Sequence, residues 1–508
     1  MTYDIYGRMP DMAGGDAGRK TFADGLRLAA TCKTTENGAN AFNATGSAVT
    51  DLFATIGGMR SGDGSMERLG AMIDAAWAED PLLTMRCIFY ARDARGGLGE
   101  REIGRKALYH CAMAHADALR KNLERVPEYG RWDDMFSLIG TPLEDDMWSI
   151  IRTQLETDTA EAERGGKVSL LAKWMPSADT SSKRTVALAK YAAQRLGMNV
   201  YAYKRYVRAL RRHLRLLEQD MTANRWSEID YGHLPSQAHM RHIKAFNRHD
   251  AERYGQYICD LRAGNAKVNA STLFPYEILE RLSRDPVANT PLEEMWRNLP
   301  DYVGDGDNVL VVADTSGSMA GRPMATSVSL AIYFAERNTG PFGGLYMTFS
   351  EKPQLIEVKG DTLQQKAEQM YNGPWGRNTN LYAVFDFLLY IAVKLECPPE
   401  ELPKSIVIIT DMEIDSCESI GAAMWETIVD KVDAAYRAKG YRMPNLVFWN
   451  VASRQSTFLG RSDRRGVQMV SGSSASVFKA VLGFADGMTP VEAVRQVLDS
   501  DRYSDITV

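Results

Sequence analysis

A buried strand that leads directly into oxygen-bearing side chains constrains this chain more than any other feature. Residues 308–313 read Asn-Val-Leu-Val-Val-Ala, an apolar and β-branched run typical of a strand buried in a parallel sheet. Residues 314–318 follow as Asp-Thr-Ser-Gly-Ser, so a carboxylate and two hydroxyls alternate along one short loop. Such oxygens suit a hard divalent cation such as Mg²⁺, which takes about six oxygen ligands and usually keeps some waters. We therefore predict a cation-binding loop at the end of this strand.

The composition is that of an ordinary globular protein. The 508 residues are 45 % hydrophobic and 25 % charged, with a formal net charge of −5, and they allow roughly two to four domains. No apolar run approaches the ~20 residues of a membrane span, and residues 1–8 lack the apolar core of a secretory signal. The six cysteines are scattered without a C-x-x-C pair, which excludes the usual zinc and disulfide frameworks. We expect a cytoplasmic protein with reduced thiols and no membrane partner.

The pattern of the chain changes near residue 300. Residues 1–20 are rich in Gly, Asp and Met without periodicity, and predict a flexible N-terminal tail. Residues 21–300 show helical apolar spacing broken by Gly and Pro turns, and predict an irregular α-helical solenoid. Residues 301–508 alternate strand-like runs with helices, which predicts a mostly parallel sheet covered on both faces. The predicted fold class is α plus α/β, with the boundary in the acidic, glycine-bearing segment 301–307.

Three loops of the C-terminal domain are predicted to supply oxygens to one edge of this sheet. In an open α/β sheet, ligands bind beyond the carboxyl ends of the strands, near the point where the strand order reverses. The first loop is 314–318, the second contains Thr379 before a helix, and the third contains Asp411 after an apolar strand. All seven histidines precede residue 250, so chemistry in this domain would run without imidazole.

Two enzymatic interpretations of the first loop conflict with the sequence. A haloacid-dehalogenase-type phosphatase needs a second aspartate two residues after the first, and Ser316 occupies that position. A P-loop needs G-x-x-x-x-G-K-[ST], which the chain lacks, and no base is available to activate a serine. We therefore predict that the protein is not an enzyme. Glu413 and Asp415 add acid near the third loop and are expected to be solvated.

The three loops, in this order, resemble the metal-ion-dependent adhesion site of von Willebrand factor A domains, whose core motif is D-x-S-x-S. The resemblance implies a doubly wound, Rossmann-like domain that binds Mg²⁺ or another divalent cation. By position, it implies Ser316, Ser318 and Thr379 as direct hydroxyl ligands. Asp314 and Asp411 would act largely through water. Few direct carboxylates leave the ion underneutralised, so it could accept an anionic oxygen from an acidic protein partner.

A second signal lies in the helical part of the chain. Residues 183–250 carry 14 Lys and Arg against 5 Asp and Glu, a local charge of +9 in a chain of net −5. Polyanions such as nucleic acid are the usual partners of such a segment. Over 201–220, apolar residues at helical spacing form one stripe while cations project from another face. A solvated helix with ordinary charges is the alternative interpretation.

Farther along, 239–249 interleaves basic and aromatic side chains, which suits phosphate contact with base stacking. Each histidine taken alone is more often a structural residue than a binding residue. The residues predicted to contact nucleic acid are chosen by charge and periodicity. They are Lys204, Arg208, Arg211, Arg212, Arg215, His239, Arg241, His242, Lys244 and Arg248.

A helical part with an R-G-G-x-G-E-R-E turn, followed by an A-type domain, resembles a divergent branch of the TROVE family. That family comprises the Ro autoantigen and its bacterial and phage-borne relatives. The segments that carry the resemblance are 40–43, 91–102, 129–133, 171–176 and 234–236. It implies HEAT-like helical repeats in a ring closed by the A domain, which binds misfolded RNA and small noncoding RNA. The 92–101 segment could bind phosphate at the N-terminus of the following helix, but Glu100 and Glu102 in that first turn argue against this. Its glycine cluster between two helical patterns is therefore interpreted as an interhelix turn.

These observations predict a non-enzymatic RNA-binding protein of the Ro ribonucleoprotein type. The basic helices would contact RNA, and the Mg²⁺ site would dock an acidic partner or stabilise the A domain. The alternative is a protein-interaction scaffold whose A domain captures a partner carboxylate through the metal, with no physiological RNA ligand.

Overall fold

The structure is a computed structural model in which two compact units can be distinguished, each discontinuous in sequence. It describes residues 31–60, 65–214, 216–283, 289–303, 308–349, 352–373, 380–415 and 427–508. The first unit holds the described residues of 31–87, 274–283 and 301–504, and the second holds those of 88–273, 289–300 and 505–508. None of the helices in these described ranges has the length and apolar character needed to cross a membrane.

Among the described residues before 300, helices are the main regular elements, as the periodicity predicted. A short antiparallel hairpin, β1 (Cys32–Thr34) and β2 (Asn40–Phe42), comes first. The α-helices that follow are α1 (Ala48–Ile56), α2 (Ser65–Glu79), α3 (Pro81–Arg92), α4 (Arg101–Ala114), α5 (Ala116–Arg120), α6 (Val126–Tyr129), α7 (Glu144–Glu163), α8 (Leu171–Trp174), α9 (Lys183–Arg195), α10 (Val200–His213), α11 (Leu217–Thr222), α12 (Ser236–His249), α13 (Ala251–Arg262), α14 (Pro275–Leu279) and α15 (Thr290–Arg297).

One predicted helix is shorter than expected. The apolar stripe predicted over 201–220 begins as expected, with Tyr203, Val207 and Leu210 buried on α10. The helix then ends at His213, and the chain turns before α11. The apolar residues beyond this point therefore belong to a different helix, because a spacing pattern does not register a break of a few residues.

The C-terminal part contains a six-stranded mixed sheet with the strand order β5-β4-β3-β6-β7-β8. The β4–β5 pair is antiparallel and all other neighbouring strands are parallel. These elements confirm the predicted α plus α/β class. In chain order they are β3 (Val309–Ala313), α16 (Arg322–Arg337), β4 (Leu345–Thr348), β5 (Leu355–Glu357), α17 (Leu363–Tyr371), α18 (Leu381–Lys394), β6 (Ser405–Thr410), α19 (Ile428–Ala438), β7 (Asn445–Asn450), β8 (Val467–Ser471), α20 (Val477–Leu482) and α21 (Pro490–Leu498).

The strand order reverses at β3. From β3 the chain runs outward to β4 and β5, and it then returns to place β6 on the other side of β3. Val309 pairs with Ser405 and Ala313 pairs with Ile409, so both strands end at the same level. A crevice forms at such a switch point because the connection after β3 and the connection after β6 run to opposite sides of the sheet. The loops after these two strands therefore meet at one edge of the sheet.

The described residues of 31–60 are part of this sheet unit. The Phe42 N–H donates to the Phe458 carbonyl at 2.8 Å, and the Phe458 N–H donates back at 2.9 Å. Helix α1 packs against β8, where the Ser471 hydroxyl donates to the Phe53 carbonyl at 2.9 Å. These contacts bring the first described helix into the core of the sheet unit.

The compact units therefore differ from the predicted segments 21–300 and 301–508. Residues 31–87 have helical spacing, so their sequence pattern resembles that of the helical part. Spacing identifies which face of a helix is apolar but not which core that face covers. The predicted flexible tail, 1–20, lies outside the described residues.

We expect Gly58→Ala to destabilise the sheet unit. A Cβ at Gly58 would lie 2.4 Å from the Ser453 hydroxyl and 2.8 Å from the Ser453 nitrogen, whose N–H donates to the Gly58 carbonyl. Forcing these atoms apart should lower the free energy of unfolding by about 1–3 kcal/mol. Gly255→Ala in α13 is the control, because nothing lies within 4 Å of its added Cβ. Urea denaturation followed by circular dichroism measures both, and an unchanged Gly58→Ala protein would contradict this packing.

Candidate functional site

Asp314 lies fully buried in the crevice between β3 and β6. Its Oδ1 accepts the Ser316 N–H at 2.9 Å, and its Oδ2 accepts the Thr410 hydroxyl at 2.6 Å. Its own N–H donates to the Ile409 carbonyl at 2.9 Å, which extends the β3–β6 ladder by one residue. Burial, with the nearby Asp411 carboxylate, raises the pKa of Asp314 to about 7. A cation bound nearby would favour the carboxylate form.

The two serines of the loop present a pair of adjacent hydroxyls. Ser316 is buried and Ser318 is half-buried, and their Oγ atoms lie 3.0 Å apart. Neighbouring oxygens in an octahedral Mg²⁺ site with bonds of ~2.1 Å are also about 3.0 Å apart. The observed spacing thus matches two adjacent ligands of one small cation.

Asp411 holds a carboxylate oxygen that lacks a hydrogen-bond donor. Its Oδ1 accepts the Glu413 N–H at 3.2 Å, whereas the buried Oδ2 accepts no hydrogen bond from the described residues. The nearest cationic group is Arg454, whose Nη1 lies 3.5 Å from that oxygen and which also donates to the Ser318 carbonyl. An unsatisfied buried acceptor costs about 1–3 kcal/mol, and a cation would relieve that cost. Met412 adds backbone strain here, with φ at +70°.

Four of the five predicted metal ligands therefore lie at one edge of the sheet. The fifth, Thr379, lies outside the described residues. Within the described ranges, no group of three or more His, Cys, Asp or Glu side chains is arranged to hold a metal ion. The predicted set contains only two carboxylates, Asp314 and Asp411, and its remaining members are hydroxyls. The orphaned Asp411 oxygen and the serine pair are the features that fit a divalent cation.

The prediction that Glu413 is solvated is wrong. The side chain is buried, and its Oε2 accepts the Glu36 N–H at 2.8 Å. The Asn37 side chain donates to the Glu413 carbonyl at 3.0 Å, and Gly38 forms an isolated β-bridge with the half-buried Asp415. The turn of the N-terminal hairpin covers this loop. A contact between segments almost 400 residues apart leaves no signal in the local sequence.

The cations predicted on α10 are mostly engaged in contacts within the second unit. Lys204 lies 2.5 Å and Arg208 3.6 Å from Asp179. Arg211 is half-buried and donates at 2.8 and 2.6 Å to two carbonyls at the end of α8, so its role here is structural. Arg212 is exposed and has no ionic partner among the described residues. The predicted Arg215 falls outside those residues.

Helix α12 presents a more open basic face. Arg241, Lys244 and Arg248 are all exposed, and in the described part of the chain none has an acidic partner. Their spacing of three and four residues places them on one side of the helix. His242 is half-buried and lies on another side of the helix, with its ring centre 6.3 Å from that of Phe246. His249, at the end of α12, stacks on Trp226 with ring centres 4.5 Å apart, a platform that the sequence pattern did not reveal.

The prediction that His239 contacts nucleic acid is wrong. The side chain is fully buried, with its Nε2 3.0 Å from the Tyr254 hydroxyl. Phe246, expected to stack on a base, is also fully buried against Tyr231 and Tyr254. Both side chains lie on the apolar face of α12 and build its aromatic core. Their residue types suggested contact with nucleic acid, but their position on the apolar face of the helix buries both side chains.

The burial of His239 predicts a loss of stability in acid. Burial lowers the pKa of His239 from 6.5 to about 4, so between these values only the unfolded state takes up the proton. The unfolded state is therefore increasingly favoured as the pH falls from 6.5 toward 4. The free energy of unfolding should drop by about 3 kcal/mol in total over this range. The free energy of unfolding should depend less on pH in His239→Gln than in the wild type. His233→Gln is the control, because that side chain is 89 % exposed. Equal pH dependence of wild type and His239→Gln would contradict this.

In a comparison with known proteins, both parts of the chain match domains of unknown function. The domain of unknown function DUF7788 matches residues 308–505, and the domain of unknown function DUF2828 matches 35–156 and 143–305. A relative, the "Uncharacterized protein L728" of Acanthamoeba polyphaga mimivirus, is 28 % identical over 505 residues, covering 92 % of this chain and 87 % of the relative. The DUF2828 matches together span more than half of the 508 residues. The chain therefore belongs to the DUF2828 family.

Proposed function

We propose that this protein binds RNA through the exposed basic face of α12 and is not an enzyme. The observation that carries the proposal is the set of three exposed cations, Arg241, Lys244 and Arg248, without acidic partners among the described residues. Lys204 and Arg208, by contrast, already share Asp179. Unpaired cations on one helix face suit a phosphate backbone, because binding releases the counterions condensed on the nucleic acid.

Two further features support a single-stranded RNA ligand. The stacked pair of His249 and Trp226 lies at the end of the same helix, and His249 is exposed. Aromatic surfaces beside a basic face are what single-stranded nucleic acids require, since every base has a face that can stack. The TROVE-like segments noted in the sequence agree with this function. On that resemblance, the proposal extends to HEAT-like repeats in a ring closed by a von Willebrand factor A domain, as in Ro ribonucleoproteins.

Reversing the charges of the α12 face should weaken RNA binding. In Arg241→Glu/Lys244→Glu/Arg248→Glu, we expect the affinity for single-stranded RNA at low salt to fall at least about tenfold. The slope of log affinity against log salt should also fall by about 2, for three lost phosphate contacts. Fluorescence anisotropy over a salt series measures both quantities.

The control carries three reversals on the sheet unit, at Lys359, Arg437 and Arg442, whose side chains are about 70 % exposed. It changes the net charge equally, so a similar loss in both proteins would indicate a general charge effect. An unchanged affinity of the α12 variant for single-stranded RNA would contradict the proposal.

A second candidate function is the capture of an acidic protein partner through a divalent cation. The Asp411 Oδ2, to which none of the described residues donates, and the hydroxyl pair of Ser316 and Ser318 favour it. Ser316, Ser318 and Thr379 would hold the ion directly, with Asp314 and Asp411 behind water. When bound, the ion would supply an open position for an anionic oxygen. Arg454, beside Asp411, would attract that anion.

Magnesium should stabilise the wild type and have little effect on Ser316→Ala. An ion that binds only the folded state, at about a hundredfold over its Kd, adds about 2.7 kcal/mol to the free energy of unfolding. Removing one ligating hydroxyl should lose most of this gain. Ser504→Ala is the control, because that exposed serine lies far from the loop in sequence and its hydroxyl donates to the nearby Asp501 carbonyl. Thermal unfolding with Mg²⁺ and with EDTA gives the comparison. If Mg²⁺ stabilised Ser316→Ala as much as the wild type, the ion would bind at a different site.

A further inference from the structure

A cluster of charged side chains in the second unit holds more arginines than acids. It joins the end of α3, the first turns of α4 and the segment after α6. We call it the arginine cluster, and its members are Arg92, Arg101, Arg105, Arg131, Asp133 and Asp134. The predicted interhelix turn, 92–101, and the 129–133 segment noted in the sequence meet here. The RNA-binding face proposed above does not use these residues.

The inner half of the cluster is structural. Asp134 is fully buried and lies 2.7 Å from Arg92 Nη2 and 2.5 Å from Arg105 Nε. Two glycines make room for this pairing. A Cβ at Gly130 would lie 2.3 Å from Asp134 Oδ2, and one at Gly104 would lie 2.8 Å from the Arg92 Cβ. The buried pair of Arg92 and Asp134 thus fixes the base on which the side chains around Asp133 lie.

The outer half brings three guanidinium groups to one carboxylate. Asp133 lies 2.9 Å from Arg101 Nη2, 2.6 Å from Arg105 Nη2 and 3.0 Å from Arg131 Nε. The Arg131 guanidinium also lies 4.0 Å above the centre of the Trp174 ring, which holds its plane in place. Three guanidinium groups are therefore oriented around the single carboxylate of Asp133.

The charges of the cluster do not balance. Four arginines face two aspartates, a net charge of +2, and none of the four has another acidic partner among the described residues. Burial, with the neighbouring Arg101, lowers the pKa of Arg131 to about 10, and burial, with Arg105, also lowers the pKa of Arg101. Yet the Arg101 side chain is 53 % exposed, so an outside anion can reach the cluster.

We propose that Arg101, Arg105 and Arg131 form a binding site for the phosphate group of a nucleotide. Guanidinium groups match phosphate oxygens with paired N–H donors, and a site with excess positive charge gains most from a ligand of charge near −2. A free nucleotide and an RNA backbone share this chemistry. The inference rests on the proposed RNA binding only if the phosphate belongs to RNA.

Removing Arg101 is the sharpest test, because Asp133 keeps its contacts with Arg105 and Arg131. The full-length protein is titrated at low ionic strength with uridine 5′-monophosphate, with a short oligouridylate and with uridine, by calorimetry. We expect saturable binding of the monophosphate, none of uridine, and an affinity about tenfold weaker in Arg101→Gln. Arg101→Lys keeps the positive charge but not the paired N–H donors of the guanidinium group. Its affinity for the monophosphate should be several-fold weaker than that of the wild type. Arg164→Gln is the matched control, since Arg164 is 74 % exposed and pairs with Glu161 in the same unit.

The outcomes separate this site from the α12 face. Weakened binding of both the monophosphate and the oligouridylate assigns the site to RNA phosphate, and weakened binding of the monophosphate alone assigns it to a free nucleotide. The α12 charge-reversal variant should bind the monophosphate as the wild type does, so either proposal can fail alone. The site is overturned if the wild type binds neither probe, or if Arg101→Gln and wild type bind both equally. Thermal unfolding of Arg101→Gln verifies that the variant is folded.

Discussion

The parallel pairing of β3 with β6 is the interaction on which the sheet unit depends. It joins segments almost 100 residues apart, and its last bond runs from the Asp314 N–H to the Ile409 carbonyl. Because the strand order reverses there, the two loops with the most oxygen-rich side chains end side by side. The burial of Asp314, the hydroxyl bond from Thr410 and the position of the Asp411 Oδ2, which accepts no hydrogen bond from the described residues, all follow from that register. A shift of one residue would turn these side chains to the other face.

The arginine cluster of the second unit is built on a buried charge pair. Arg92 and Asp134 are both buried, and glycines at 104 and 130 leave room for their side chains. A buried ion pair is weak evidence for net stability, because the cost of desolvating both charges offsets their attraction. Its effect here is to hold three more guanidinium groups around Asp133. Elsewhere in this unit the basic residues differ in role, with Arg211 bonded to carbonyls of α8 and Arg241 exposed on α12.

Several elements were predictable because local pattern is enough to specify them. The strand predicted at 308–313 is Val309–Ala313, and the alternation of strands and helices predicted for 301–508 is present. Continuous β-branched runs between turn residues leave few alternatives to a buried strand. The side chains on α12 were less predictable. Arg241 and His239 are two residues apart and both can bind phosphate, but one is exposed and the other is part of an aromatic core.

The sequence by itself determined the fold class, the strand that carries Asp314, and the order of the oxygen-bearing loops. Each of these depends on neighbours within a few residues, where hydrophobic period and residue type act directly. Only the tertiary structure decided that residues 31–60 cover the sheet, that Glu413 is buried beneath the hairpin turn, and that Arg101 and Arg131 converge on Asp133. Those outcomes depend on which distant surfaces bury each other, and that choice is made by packing of the whole unit rather than by any local pattern.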